Sequence, residues 1–277
     1  MFESRLSRRK FMAVSGVSIL SLFPLRTSAA AGGVEVVSEG GVLHITADGH
    51  PVLGYRLRGE LPDAEIKPIF LRAGYMHPVY TPGGRIVTDD YPGDHPHQHG
   101  IFFAWTKTEF EGRHPDFWNM GDGTGAVELE KLEASWNGPD NGGFSARLRH
   151  VDLSGPTRKT ALNELWKVTV YRGAQGFNRY SMFDLVSTQE CASTSPLILP
   201  EYRYGGVGIR GHRQWRVKEN VFFLTSEGKD RIAGDDTMAR WCTIGGRVDG
   251  QLAGLAVLGH PDNFRAPQPL RIHPDDP

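Results

Sequence analysis

Glycine and proline interrupt this sequence at short intervals along its whole length. The chain contains 34 glycines and 18 prolines among 277 residues, and many of them lie between short apolar runs. No segment longer than about ten residues carries the i, i+3, i+4 apolar stripe of an amphipathic helix. Because Gly and Pro disfavour helix interiors but suit the turns between strands, they predict many short strands. We therefore expect an all-β fold, an antiparallel β-sandwich, of which a large mutarotase-like supersandwich is one form.

Ten segments have the alternating or fully apolar pattern that is typical of β-strands. The first two flank Asp48-Gly49, a dipeptide that favours the tight turn of a hairpin. The predicted strands are residues 42–46, 52–57, 100–106, 126–136, 144–153, 162–171, 178–186, 207–210, 221–224 and 252–258. The Asn- and Gly-rich residues 137–143 predict a long hairpin tip. With 39% hydrophobic residues the chain can bury one core. We expect a single domain over residues 32–277, truncated at its C-terminus because only Pro-rich coil follows the last predicted strand.

The first 31 residues have the pattern of an export signal. Arg8-Arg9 precedes the apolar stretch 12–25, and Arg26 and a run of small residues ending at Ala31 follow it. The stretch falls short of the roughly 20 apolar residues that a membrane-spanning helix needs. Residues 1–31 therefore predict a twin-arginine signal peptide. A general secretory signal is the alternative, and both routes predict a periplasmic or secreted protein.

Charge and cysteine content restrict the partners and the chemistry. The chain has 31 Lys and Arg residues against 32 Asp and Glu residues, so no basic field favours nucleic acid as a partner. The mature chain contains no stretch that predicts a membrane span. Cys191 and Cys242 are the only cysteines. An oxidising compartment permits a disulfide between them, and two buried free thiols are the alternative. The absence of a G-x-S-x-G motif argues against lipase-like chemistry.

Three histidines are concentrated just before the third predicted strand. His95, His97 and His99 alternate within residues 88–100, and acidic residues that include Asp94 flank them. If this stretch is extended, the three rings share one face. Imidazole is the usual proton-transfer group near neutral pH and a common transition-metal ligand. His97 and His99 are therefore candidate catalytic residues and candidate ligands of a divalent metal, with Asp94 and His95 as substrate-binding residues. A loop whose imidazoles only hydrogen-bond the backbone is the alternative.

Residues 200–206 carry a second cluster of polar side chains. Alternation in an extended chain puts Glu201 and Arg203 on one side and Tyr202 and Tyr204 on the other. Glu201 is then a candidate catalytic carboxylate, and Arg203 and Tyr204 are candidate substrate-binding residues. A surface Glu–Arg pair above two buried tyrosines is the alternative.

A third cluster follows the apolar segment 252–258. This segment predicts a buried strand whose end presents His260 and Asn263 in a polar loop. His260 is a candidate catalytic residue and Asn263 a candidate substrate-binding residue. An ordinary His-Pro turn is the alternative.

Aromatic side chains accompany an amide elsewhere in the chain. Trp105, Trp118 and Asn119 provide the combination that stacks on sugar rings and hydrogen-bonds their hydroxyls. They predict a carbohydrate or another small polar molecule as the substrate. Core packing explains any single tryptophan equally well.

Residues 83–105, which contain the three histidines, resemble the hallmark of a bacterial family of unknown function usually labelled PmoA-like or "methane oxygenase PmoA". Segments 204–206 and 260–263 fit the same family. The label does not imply methane oxidation, because the methane monooxygenase subunit of that name is an integral membrane protein. The resemblance implies an exported β-sandwich protein of a kind that often accompanies glycan-degrading enzymes, and it supplies no catalytic residues.

Two function hypotheses follow from these clusters. In the first, the protein is an exported carbohydrate-active hydrolase, lyase or epimerase, in which the candidate histidines transfer protons and Glu201 supplies a carboxylate. In the second, it is a noncatalytic module that stacks sugars on Trp105, Trp118 and Tyr204. Convergence of the ionisable groups in one concave site would favour the enzyme, and an exposed aromatic strip away from them would favour the module.

Overall fold

A computed structural model describes residues 32–173 and 180–273 of the chain. The predicted signal peptide lies outside the described residues, and so do residues 178 and 179 of one predicted strand. Within the described ranges, strands form the main regular structure, and the helical elements are single turns of 3₁₀ helix. These turns are Pro68–Phe70, Met120–Asp122, Arg213–Arg216 and Lys218–Asn220. The prediction of an all-β fold is confirmed.

Seventeen strands are assigned in the described part of the chain. In chain order they are β1 (Val34–Glu39), β2 (Val42–Ala47), β3 (His50–Arg56), β4 (Met76–Val79), β5 (Ile101–Ala104), β6 (Glu109–Phe110), β7 (Gly125–Trp136), β8 (Asn141–Asp152), β9 (Lys159–Tyr171), β10 (Met182–Cys191), β11 (Leu197–Ile198), β12 (Gly206–Ile209), β13 (Val221–Thr225), β14 (Thr237–Met238), β15 (Trp241–Val248), β16 (Gln251–Leu258) and β17 (Pro269–Leu270). A six-stranded sheet has the order β1-β2-β3-β4-β5-β12, and a four-stranded sheet has the order β10-β9-β8-β7. A three-stranded sheet, β13-β15-β16, and the strand pairs β11-β6 and β14-β17 complete the set. All the pairings are antiparallel.

The six-stranded and four-stranded sheets pack against each other and enclose the core. Tyr55 on β3 marks their contact, because its ring centroid lies 4.3 Å from that of Phe144 on β8 and 6.0 Å from that of Trp166 on β9. All three side chains are fully buried. Alternate residues of β8 and β9 face this core, as the period of two in their burial shows. This arrangement is an antiparallel β-sandwich.

The three-stranded sheet is joined to the rest of the molecule through Trp215. This side chain is fully buried, and it lies against Gly246 of β15 so closely that a Cβ atom there would be 2.7 Å from Trp215 Cδ1. Gly211, just after β12, approaches the same indole, with a Cβ atom placed 2.8 Å from Trp215 Cε3. Glycines at these two positions therefore allow the tryptophan to connect the end of β12 with the third sheet.

Several details of the sequence prediction differ from the structure. The Asp48-Gly49 hairpin is confirmed, since both residues have positive φ angles, 49° and 78°, in the turn between β2 and β3. The predicted long tip at 137–143 is wrong in extent, because β8 already begins at Asn141. The segment before His260 is not a buried strand, since most residues of β16 are exposed.

The two cysteines are free thiols in the structure. Cys191 is exposed and Cys242 is partly buried, so they form neither the disulfide that the compartment would permit nor the alternative pair of buried thiols. Within the described ranges, no helix is long and apolar enough to span a membrane.

Candidate functional site

The loop that carries the three histidines, residues 89–100, is called the histidine loop. It is fixed at both ends by backbone hydrogen bonds to the residue that follows β12. The amide of Asp89 donates to the carbonyl of Arg210 (3.0 Å), and the amide of Arg210 donates to the carbonyl of Gly100 (2.8 Å). Between these anchors the chain makes two successive turns, in which the amide of His95 donates to the carbonyl of Pro92 and the amide of Gln98 to that of His95. The expectation of an extended stretch with all three rings on one face is therefore wrong.

His99 points into the protein and is fully buried. Its Nδ1 lies 2.7 Å from Asp90 Oδ1, and the other carboxylate oxygen accepts a hydrogen bond from Tyr75 Oη at 2.8 Å. The imidazole stacks on the Tyr75 ring at 4.3 Å and meets the edge of the Tyr91 ring at 4.7 Å. Burial lowers the pKa of His99, although the hydrogen bond to Asp90 opposes this shift. A neutral imidazole that donates from Nδ1 has its lone pair at Nε2, and this atom is buried without a hydrogen-bond partner among the described residues.

His97 is only half-buried, whereas His99 is fully buried. The ring centroid of His97 lies 5.7 Å from that of His95. Burial, followed by the charges of His95 and His99, lowers the pKa of His97 to about 4, and the nearby Asp116 carboxylate opposes the shift. His97 is therefore neutral near pH 7 and able to accept a proton.

Asp94 is held by positive groups at the rim of the loop. Its Oδ2 accepts a hydrogen bond from His95 Nδ1 at 2.9 Å and lies 3.1 Å from Arg216 Nη2, while Oδ1 lies 3.6 Å from Arg210 Nη2. Burial acts to raise the pKa of Asp94, but the hydrogen bond from His95 and the two guanidinium charges hold it at about 2. Asp94 is therefore a permanent anion that fixes the loop, rather than a proton donor near neutral pH.

Asp116, whose charge acts on the pKa of His97, organises a second group of polar side chains. Its Oδ1 accepts the backbone amides of Trp118 (2.9 Å) and Asn119 (2.8 Å), and Oδ2 accepts Thr106 Oγ1 (2.7 Å) and Asn119 Nδ2 (2.8 Å). Asn119 Nδ2 also lies 3.2 Å from Tyr204 Oη, to which it donates. The carboxylate thus places the Asn119 amide beside a tyrosine that is 85 residues away in sequence.

Aromatic rings surround this amide. Trp118 lies 4.7 Å from Phe102 and 5.4 Å from Tyr204, and Tyr204 lies 5.0 Å from Tyr202, as measured between ring centroids. Trp118 and Tyr204 are half-buried and Tyr202 is exposed. The predicted substrate-binding residues Trp118, Asn119 and Tyr204 are therefore in contact with one another. We call them, together with Tyr202, the aromatic surface.

Trp105 has a different position from that of a stacking platform. Its Nε1 donates a hydrogen bond to Gln189 Oε1 at 2.8 Å, and a Cβ atom on Gly205 would lie 3.2 Å from Trp105 Cε3. The indole therefore packs against the backbone of Gly205, just before β12. Because Tyr204 is the preceding residue, Trp105 acts as a positioning residue for Tyr204.

Four other predicted site residues lie on exposed loops. Glu201 and Arg203 are exposed and outside any strand, and the Arg203 guanidinium lies 5.9 Å from the Tyr204 ring centroid. The His260 side chain is 69% exposed, and its Nδ1 accepts a hydrogen bond from the amide of Asp262 in its own loop. Asn263, also exposed, closes that loop with a backbone hydrogen bond to the His260 carbonyl. The polar contacts of His260 and Asn263 thus lie within their own loop rather than with the histidine loop.

The arrangement of side chains gives no support to a metal centre. Among the described residues, no group of three or more His, Cys, Asp or Glu side chains has the geometry to hold a metal ion. The fully buried His99 and the half-buried His97, the two candidate ligands, lie in different surroundings.

Sequence reasoning missed the residues that hold the site together. Asp90 and Tyr75 orient His99, and Asp116 orients Asn119. For Asp116 a local signal was available. In turns, an Asp side chain commonly accepts hydrogen bonds from the backbone amides two and three residues later. For Tyr75 no such signal exists, since its contact with the histidine loop depends on the pairing of β3, β4 and β5.

These features define an all-β sandwich protein with a histidine loop beside an aromatic surface. The chain belongs to DUF6807, a family of unknown function whose model matches residues 42–276. The match confirms the resemblance to a family of unknown function, and nothing in it links the chain to PmoA. Comparison with curated proteins and with solved structures finds no match to this chain.

Proposed function

We propose that this protein is an exported carbohydrate-active enzyme in which His97 transfers a proton and the aromatic surface binds the sugar. One observation carries the proposal: the half-buried His97, whose pKa burial lowers to about 4, is within electrostatic range of Asp116, the carboxylate that holds the Asn119 amide. Such a histidine is neutral at pH 7 and can accept a proton.

The sugar-binding half of the proposal depends on the rigidity of the aromatic surface. Trp118 and Tyr204 present ring faces and edges, and the Asn119 amide is fixed between them by Asp116. Aromatic faces pack on the C–H groups of a sugar ring, while amides and hydroxyls pair with its hydroxyl groups. The resemblance to exported proteins that accompany glycan-degrading enzymes agrees with this substrate class.

The catalytic half assigns different roles to the candidate residues of the histidine loop. His97 accepts a proton from a sugar hydroxyl, a sugar C–H group or an attacking water, in keeping with hydrolase, lyase or epimerase chemistry. The buried pair of His99 and Asp90 positions the loop. We leave Glu201 and His260 out of the catalytic group, because both are exposed on their own loops.

A noncatalytic sugar-binding module is the second candidate, and the position of His260 favours it. An aromatic surface with some ionisable groups at a distance is the arrangement expected of a module. Activity therefore has to be measured separately from binding.

The test is a screen of the purified protein against soluble plant and bacterial polysaccharides and oligosaccharides. Reducing ends report hydrolysis, ultraviolet absorbance of unsaturated products reports lyase activity, and NMR reports epimerisation. We expect His97→Gln to lower turnover by at least about 100-fold while binding persists, because general acid–base catalysis contributes about 10² to 10⁴ in rate. Asn119→Ala should weaken binding, and His44→Gln, on an exposed site of β2, is the matched control.

Two sets of results would contradict the enzyme hypothesis. If the protein binds a polysaccharide, shows no turnover in any assay, and binds equally well after His97→Gln, the module replaces the enzyme. If neither Asn119→Ala nor His97→Gln changes binding or turnover, the aromatic surface and His97 are not the site of either function.

The proposal includes export, which depends on the sequence pattern of residues 1–31. Replacement of Arg8 and Arg9 by Lys should abolish transport if the twin-arginine route carries the protein. Unchanged yield in the periplasm would assign it to the general secretory route.

A further inference from the structure

A pocket lies where the loop after β3 meets the histidine loop. The residues of the aromatic surface do not line it. It has a volume of about 260 Å³ and is lined by Arg56, Glu60, Pro62, Tyr75 and Asp90. Two of these residues, Tyr75 and Asp90, are the ones that hold His99. The pocket therefore adjoins the base of the histidine loop.

The polar atoms in this pocket have hydrogen-bonding capacity that the protein does not use. Arg56 Nε is buried and has no hydrogen-bond partner among the described residues. Tyr75 Oη donates its proton to Asp90 Oδ2, so the tyrosine oxygen keeps its acceptor lone pairs. Each Asp90 oxygen accepts one hydrogen bond, from Tyr75 or from His99, and a carboxylate oxygen can accept a second.

The charges in the pocket indicate which ligand it fits. One guanidinium, on Arg56, and two carboxylates, on Glu60 and Asp90, line the pocket. An anionic ligand would gain the Arg56 contact but meet repulsion from both carboxylates. Neutral hydroxyl groups satisfy all three, because a hydroxyl donates to a carboxylate and accepts from a guanidinium.

The size of the pocket sets an upper limit on the ligand. Sites for drug-sized molecules have volumes of about 300 to 1,000 Å³. A pocket of about 260 Å³ is smaller and suits a single sugar ring. We propose that this pocket is a binding site for one neutral sugar ring, held by Arg56, Glu60 and Asp90. The proposal is independent of the role of His97, since His97 does not line the pocket.

The test measures binding of single sugars to the purified protein by saturation-transfer NMR and titration calorimetry. The probes are D-glucose, D-galactose and D-xylose as neutral rings and D-glucuronate as the anionic comparison. We expect at least one neutral sugar to bind, glucuronate to bind more weakly, and Glu60→Gln and Arg56→Gln each to weaken the neutral sugar by about tenfold, the effect of losing one hydrogen bond to a charged group.

Control variants separate this site from the aromatic surface. Glu65→Gln changes an exposed carboxylate on the same loop that does not line the pocket, so it should leave the affinity unchanged. Any loss of binding after Asn119→Ala belongs to the aromatic surface, and the binding that remains should still be weakened by Glu60→Gln. Because Glu60 is exposed, its replacement preserves folding, and a thermal melt verifies this for both pocket variants.

Three results would overturn the inference. The first is absence of binding by every neutral sugar at about 10 mM, well above a millimolar dissociation constant. The second is binding that Asn119→Ala removes and Glu60→Gln spares, which would place the sugar on the aromatic surface. The third is preferential binding of glucuronate. Failure of this pocket leaves the proposed role of His97 standing, and failure of His97 leaves the pocket standing.

Discussion

At the scale of single residues, the two turns of the histidine loop separate histidines that are close in sequence. His99 enters the interior and is fully buried, while His97 remains half-buried under the electrostatic influence of Asp116. The same residue type therefore has two roles, a fixed hydrogen-bond donor to Asp90 and a candidate base. The distinction leads to predictions about pH and about stability.

The first prediction concerns the pH dependence of turnover. The neutral form of His97 is the active base, and burial lowers the pKa of this residue to about 4. Protonation below this value removes the base, so kcat/KM should be constant from neutral pH down to about 5 and fall at lower pH. An ordinary histidine would lose activity near its unperturbed pKa of about 6.5. A pH–rate profile with its acidic limb near 6.5 would contradict the assignment.

The second prediction concerns Asp116, whose carboxylate accepts four hydrogen bonds. Asp116→Asn turns one acceptor oxygen into an NH₂ group that faces donors, so we expect a loss of about 1–3 kcal/mol in the free energy of unfolding. Sugar binding should weaken as well, because Asn119 loses its support. Urea unfolding measures the first effect and calorimetry the second.

Asp122→Asn is the matched control for this variant. Asp122 is exposed in the 3₁₀ turn that follows Asn119. Exposed substitutions of this kind usually change stability by less than about 0.5 kcal/mol. Equal effects of the two variants would show that the Asp116 hydrogen bonds contribute little.

At the scale of strands, Gly208 of β12 determines how the aromatic surface packs. A Cβ atom at this position would lie 2.6 Å from Trp118 Cη2 and 2.6 Å from Phe102 Cζ. We predict that Gly208→Ala displaces Trp118 and costs about 1–3 kcal/mol, the usual cost of overpacking. The near-ultraviolet circular dichroism of the tryptophans and urea unfolding measure this change.

Gly93→Ala provides the comparison for Gly208→Ala. A Cβ atom on Gly93 would have no heavy atom within 4 Å, apart from its chain neighbours. This variant should keep both the tryptophan signal and the stability of the parent protein. If Gly208→Ala behaves in the same way, Trp118 is free to shift and does not form a rigid surface.

Strands with strong alternation could be predicted from the sequence, whereas strands made by tertiary packing could not. The run at 126–136 and the hairpin at Asp48-Gly49 carry local signals, and the structure confirms both. Gly245-Gly246 instead resembles a turn, yet these residues lie inside β15 because Phe222 and Trp215 pack where their side chains would be. Glycine in this segment therefore reflects the space that a bulky neighbour needs and does not indicate a turn.

At the scale of the whole molecule, the candidate site depends on contacts between distant segments. The types of residue in the site could be predicted, and so could the combination of Trp118 and Asn119, which are adjacent. Asn119 contacts Tyr204 of a separate sequence cluster, whereas His260 stays within its own loop. Sequence patterns identify polar loops, but only strand pairing decides which loops adjoin.

The last prediction follows from the burial of several histidines in one molecule. Burial lowers the pKa of His77 and of His97 to about 4, and it also lowers the pKa of His99. In the unfolded chain these histidines titrate near 6.5. Between pH 6.5 and 4 the unfolded state therefore binds more protons than the folded state, so the free energy of unfolding must decrease as the pH falls.

Glu164 extends this loss of stability to lower pH. Burial acts to raise its pKa, but hydrogen bonds from His150, Ser187 and Trp166 lower it below the ordinary value. Its stabilising contribution is present above about pH 4.5 and disappears as the carboxylate is protonated. Urea unfolding at constant ionic strength should thus show a decline that begins near pH 6.5 and continues below 4.5.

His77→Asn identifies the histidine contribution to this decline. The asparagine amide can replace His77 Nδ1 opposite Thr88 Oγ1, a contact of 2.9 Å, without titrating. The variant should therefore lose less stability than the parent protein between pH 6.5 and 4, while the decline below 4.5 remains. A parent protein whose stability is constant from pH 7 to 5 would show that the buried histidines become protonated without cost, and that the fold opens around them more easily than their packing implies.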